Sequence, residues 1–151
     1  MRRKEREIGR REEIEEVIHQ AAVCHLAMSD AGRPYVVPLC FAYEEGVFYF
    51  HSAPEGLKLA ILEKNPAVCI ELEAGVSLKG GDAACAFGLR YRSVIAFGRA
   101  ERIEEREEKR RALECIAFRY APAAGPVAPE AVDRTAVFRV RVEEMTGKRC
   151  D

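Results

Sequence analysis

The sequence predicts a mainly β (α+β) fold, an antiparallel β-barrel of six strands flanked by α-helices. Six runs rich in β-branched and aromatic residues follow one another, with turn signals between most of them. Helical periodicity is confined to segments outside and between these runs. No Gly-x-Gly-x-x-Gly follows a strand and strands do not alternate regularly with helices, which disfavours a Rossmann unit.

The chain has 151 residues, 32% of them charged and 48% hydrophobic, which fits one soluble domain spanning residues 1–151. A net charge of -1 gives no general electrostatic case for nucleic acid or an anionic membrane. No apolar h-region follows Met1-Arg2-Arg3-Lys4, and no run approaches the roughly 18 apolar residues of a membrane span. The default location is the cytoplasm.

Residues 1–9 read as a charged, mobile leader. From Arg10 to Ala22, Ile14, Val17, Ile18 and Ala21 recur at i, i+3, i+4, i+7, an amphipathic helix. Val23–Ser29 is a strand, and Asp30–Arg33 turns the chain into a second strand that runs from Tyr35 to Tyr43. Pro38 in that strand calls for an edge position, a bulge, or an N–H pointing away from the ladder. Glu44-Glu45-Gly46 forms a turn, and Val47–Phe50 returns. A helix over Glu55–Glu63 ends at Asn65-Pro66, and Ala67–Leu72 is the fourth strand. Residues 74–88, with Gly75, Gly80, Gly81 and Gly88, read as a long irregular loop. Arg90–Ile103 is a long strand in which Gly98 marks a bulge or the close approach of another backbone. Glu104–Tyr120 is a charged helix with Leu113, Ile116, Ala117 and Tyr120 on its apolar face. A Pro/Ala/Gly connector over 121–129 leads to the alternating strand Thr135–Glu143.

Cysteines stand at 24, 40, 69, 85, 115 and 150. Cys24, Cys40, Cys69 and Cys115 lie in apolar patterns and read as buried reduced thiols, while Cys150 reads as exposed. No Cys-x-x-Cys and no clustered histidine is present, so no metal site is expected.

The junction His51-Ser52-Ala53-Pro54-Glu55 carries the most chemistry. Ser52 and Glu55 have capping-box spacing, and Gly56 and Lys58 fall in the first turn of the following helix. Free N–H groups, a hydroxyl and a lysine at a helix start suit an anion, most often a phosphate. Glu55 opposes this by placing a negative charge where the anion would sit. The alternative is a well-capped helix after a hairpin. On local chemistry alone His51 is a structural hydrogen-bonder, Arg92 solvates a strand start, His25 is a core or rim residue and His19 lies on the surface.

Three segments, HLAMSDAGRPYVVPLCFAYEEGVFYFHSAPEGLKLAILEKNPAVCIE, LRYRSVIAFGRAE and VFRVRVEEMTGKR, cover most of the chain from residue 23 onward. Together they resemble the pyridoxamine 5′-phosphate oxidase-like, FMN-binding split-barrel superfamily, and within it the branch of the nitroimidazole-resistance (Nim-type) proteins. The resemblance implies a split barrel and a homodimer with two FMN sites at the subunit interface. It implies that Val37, Pro38, Leu39 and Cys40 lie along the flavin ring, and that His51, Ser52 and Lys58 hold the phosphate or the adjacent ring. It also implies that Tyr91, Arg92 and Ser93 reach the flavin from the partner chain, with His51 and Tyr91 the candidates for proton transfer. The tail EEMTGKRCD does not match the arginine-and-histidine substrate clamp of the typical oxidase. The implied activity is therefore an FMN-dependent oxidoreductase on some other small molecule, with a nitroreductase as one form. The alternatives are a non-catalytic flavin carrier, a haem-handling split barrel with a ligand such as His51, and a deazaflavin-dependent reductase.

Overall fold

The β-branched and aromatic runs do become strands, but eight of them rather than six. The computed structural model describes residues 3–80 and 87–151. In chain order the elements are β1 (Glu7–Ile8), α1 (Arg11–Gln20), β2 (Cys24–Asp30), β3 (Arg33–Leu39), β4 (Phe41–Glu44) and β5 (Val47–Ser52). There follow α2 (Leu57–Lys64), β6 (Ala67–Lys79), β7 (Gly88–Arg102), α3 (Arg106–Tyr120), α4 (Pro129–Arg134) and β8 (Ala136–Cys150). All strands join one antiparallel sheet in the order β3-β2-β6-β7-β8-β5-β4, with β1 paired to β8.

One of the two additional strands comes from the run expected as a single strand to Tyr43. It breaks at Cys40, because β3 pairs with β2 while β4 pairs with β5. Leu39 and Phe41 are two residues apart, so their Cα atoms are at most about 7 Å apart. Yet β3 and β4 end the strand order on opposite sides. A flat sheet would hold those ends roughly 29 Å apart at the usual strand spacing. The sheet must therefore curl until its edges meet at Cys40, where no ladder closes them. This is a split barrel.

The other additional strand corrects the leader. Ile8 is buried, and β1 pairs Glu7 with Lys148 and Ile8 with Gly147. An isolated apolar residue among charges gives no periodicity to read, yet it fills a hole beside Ile14.

The expected loop over 74–88 is corrected in the same way. β6 runs to Lys79 and β7 starts at Gly88, forming a ribbon with a register shift between Ala74 and Ser77 where Gly75 has φ +66°. Gly75 interrupts the sequence pattern without ending the strand. The expected Gly80 and Gly88 fall outside or at the end of the ribbon, and Gly81 lies outside the described residues.

The barrel interior holds Leu26, Phe41, Phe48, Phe50, Ile70, Leu72, Val94 and Phe138. Phe48 stacks on Phe50 and Phe50 on Phe138 at centroid distances of 6.1 and 5.3 Å. A smaller cluster of Ile103, Ala112, Leu113, Val132 and Val137 lies outside the barrel, where α3 and α4 cover it. This explains why Val137, on the polar phase of its strand, is buried. α3 is capped by the Glu105 carboxylate, which accepts from the N–H groups of Glu107 and Glu108. Tyr120, expected on the apolar face of α3, is 42% exposed and instead donates to the Ala22 carbonyl and accepts from Phe41 N–H.

Among the expected buried thiols only Cys24 is buried; Cys69 and Cys115 are half-buried and Cys40 is exposed. Cys40 departs because it is the link between two strands rather than part of one. Cys150, expected to be exposed, is half-buried because β8 runs to the end of the ladder and pairs it with Tyr91. Cys85 lies outside the described residues.

Candidate functional site

The open seam of the barrel gathers most of the candidate residues. β3 is a terminal strand, so the backbone groups along its outer edge are unpaired within the sheet. Pro38 sits there opposite His25, the edge position its missing N–H called for. Val37 and Leu39 pack against the core, while Pro38 and Cys40 face outward and are exposed. Phe41 pairs with Phe50, so continuing that register by one residue sets Cys40 across from His51. The end of β3 and the end of β5 thus meet.

The junction after β5 differs from the sequence expectation. The Ser52 hydroxyl donates to the Ala53 carbonyl at 2.8 Å, and no side chain caps α2. The helix starts at Leu57 with Gly56 as N-cap at φ +136°, a conformation glycine adopts without strain. Gly56 sets the delay, since its positive φ lies outside the right-handed helical region and a helix begun at Glu55 could not run through it. The consequence favours an anion: the first turn of α2 holds no acidic residue and its N–H groups have no side-chain acceptor. Glu55 lies outside the helix, one residue before its N-cap.

Lys58 lies in that first turn, with Nζ 5.7 Å from the centroid of the Phe138 ring. Its surroundings strip water from the ammonium, so burial lowers its pKa from the ordinary lysine value. Burial also lowers His51, and the positive charge of Lys58 lowers it further. Among the described residues Lys58 makes no ion pair with a carboxylate. A half-desolvated cation above an uncapped helix start is a donor set that fits a phosphate. Phe138 was not anticipated as part of this site; its only sequence signal was an alternating strand.

Tyr91, Arg92 and Ser93 do not join this group within one chain. They lie on β7, three strands from β3 in the sheet order. Arg92 donates to the Gln20 side chain at 2.5 Å, the ammonium of Lys148 lies over the Tyr91 ring at 5.5 Å, and Ser93 pairs with Glu73 and Lys148. Of the remaining histidines, His25 contacts Glu71 and His19 packs edge-on to Tyr43.

No helix among the described residues is long and apolar enough to cross a membrane. No curated protein sequence matches the chain. The fold is shared with solved structures. One, from Bacteroides thetaiotaomicron, is described provisionally as a 5-nitroimidazole antibiotic resistance protein. It is 38% identical, with a TM-score of 0.85 over 95% of this chain and 86% of that one. A FAD-binding protein from Mesorhizobium loti is 25% identical, with a TM-score of 0.71 over 97% and 98% of the two chains. The flavocytochrome of Azotobacter vinelandii is 23% identical; its TM-score of 0.87 over 100% and 72% shows a common fold. The profile of the family described as pyridoxamine 5′-phosphate oxidase matches residues 10–149. The chain belongs to that family.

Proposed function

We propose that the chain binds FMN at the barrel seam and acts as an FMN-dependent oxidoreductase on a small molecule, with nitro compounds the first class to test. The observation that carries this reading is Lys58 at the uncapped start of α2, beside His51 and Ser52 and next to the free edge of β3. The phosphate is held by the α2 N–H groups, the Ser52 hydroxyl and Lys58. The backbone of Val37, Pro38, Leu39 and Cys40 supplies hydrogen-bonding groups along the ring edge. Flavin, when bound, supplies the electron transfer. His51, neutral at neutral pH, is placed to give or take a proton beside it. The similarity to a 5-nitroimidazole resistance protein and to a FAD-binding protein supports a flavin site of this kind.

The reading includes a second copy of the chain, which contributes Tyr91, Arg92 and Ser93. Its support is an apolar stripe on the outer sheet face. Val36, Ala27, Cys69 and Phe97 are successive cross-strand neighbours, and Val36 and Phe97 are 59% and 45% exposed. The ribbon adds Leu78 and Leu89, paired across the hairpin and 78% and 48% exposed. A stripe of this length on a single chain supports an interface there.

Turnover tests the catalytic part. Purified protein loaded with FMN should oxidise NADH or NADPH in the presence of a nitroaromatic acceptor. Bound flavin without turnover under any donor and acceptor pair would replace the enzyme by a flavin carrier, and a Soret band in the purified protein would replace flavin by haem. Sedimentation should give the mass of two chains; a monomer at micromolar concentration would remove the partner's three residues from the site.

A further inference from the structure

A second cluster of chemically active side chains lies on the outer sheet face, away from Lys58. His25 on β2 and Glu71 on β6 are direct cross-strand partners, and Glu73 follows two residues on, on the same face of β6. His25 Nδ1 lies 3.3 Å from Glu71 Oε2, and one donor atom from each of the three residues falls within 4.8 Å of the others. The two strands fix the spacing of the Cα atoms, so the long glutamate side chains need only small rotations to converge.

The charges in this cluster do not balance. His25 is the one basic side chain within ion-pair distance of either carboxylate among the described residues, and it reaches only Glu71. An ion pair would therefore leave Glu73 uncompensated, whereas a divalent cation would satisfy both carboxylates and the imidazole together.

We propose that His25, Glu71 and Glu73 form a binding site for one divalent transition-metal cation, zinc suiting their nitrogen and two oxygens best. Metal–donor bonds of about 2.0–2.2 Å in tetrahedral geometry put ligand atoms roughly 3.3–3.6 Å apart, the separation already present between His25 and Glu71. Three protein ligands leave the fourth position to water. The His25 and Glu71 side chains are 37% and 39% exposed, so the site is open to solvent in the single chain. It borders the apolar stripe proposed for the second copy, and the site does not depend on flavin binding.

The test is calorimetric titration of the full-length protein with zinc chloride, in the oligomeric state the protein adopts, with and without FMN. One ion per chain is expected. Glu73→Gln and His25→Asn should each weaken it at least tenfold while Cys40→Ser leaves it unchanged. Far-UV circular dichroism checks the fold of each variant, and Glu73→Gln, a solvent-facing and isosteric change, decides the outcome if His25→Asn unfolds. Absence of zinc binding, or binding that survives Glu73→Gln and is lost in Cys40→Ser, would overturn the proposal.

Discussion

Lys58 carries its charge in surroundings that disfavour charge, and no carboxylate among the described residues pairs with it. Arg119 is the contrasting case, a cation whose every contact is structural. Its guanidinium donates to the carbonyls of Ile18, His19 and Ala21 at 2.9, 3.3 and 2.6 Å, and lies 4.1 Å from the centroid of Phe41. It closes the end of α1 onto the barrel, satisfying carbonyls that no further helical turn reaches. Arg119→Ala should lower stability by about 2 kcal/mol in urea denaturation while leaving flavin affinity unchanged. His51 makes a pH prediction at the same scale. Its folded pKa is depressed below the ordinary 6.5, so the folded state refuses a proton that the unfolded chain accepts. Stability linked to His51 is therefore present above pH 6.5 and is lost as pH falls from there toward the folded value. Denaturation midpoints measured at pH 7.5 and 5.5 should differ less in His51→Gln than in the natural sequence. An equal difference in both would remove His51 as the source.

At the scale of elements, the strands and the two long helices were legible because their periodicities reflect what they bury. The breaks were not. Nothing in VVPLCFAY says that the ladder changes partners at Cys40, since both halves are equally apolar and the change is imposed by strands far along the chain. α2 was misplaced by two residues because Ser52 and Glu55 have capping-box spacing while the backbone at Gly56 is not helical. α4 was missed because Pro129 at a helix start looks the same as Pro129 in a connector. The candidate anion site was read from Ser52, Gly56, Lys58 and the helix N–H groups, but the later helix start and the Phe138 ring beside Lys58 were not foreseen. His25, Glu71 and Glu73 were invisible as a set, being brought together only by strand register. Gly98 was read as a bulge or a close approach, and the structure shows both. The β7–β8 register shifts between Phe97 and Gly98, and a Cβ at Gly98 would lie 2.3 Å from the Arg141 carbonyl oxygen and 2.8 Å from Val140 Cγ1. The clash is with backbone, which cannot rotate away. Gly98→Ala should cost at least about 3 kcal/mol, measured by chemical denaturation. A loss under about 1 kcal/mol would show that β7 and β8 can separate there at little cost.

For the whole molecule, one constraint organises the rest. A single residue, Cys40, joins the opposite ends of a seven-strand path, so the sheet curls, its seam stays open, and the ends of β3 and β5 meet there, ahead of the turn into α2. The family supplies the fold; in the proposed function the chemistry comes from what lines the seam. The most direct test is equilibrium binding of FMN, followed by flavin fluorescence and the visible absorption of the desalted protein, for the natural sequence and for Lys58→Ala. The account predicts bound FMN in the first and affinity weakened by about 10- to 100-fold in the second, the loss of one charge-assisted phosphate contact. Equal affinity in both, or a protein that takes up no flavin at all, would contradict it.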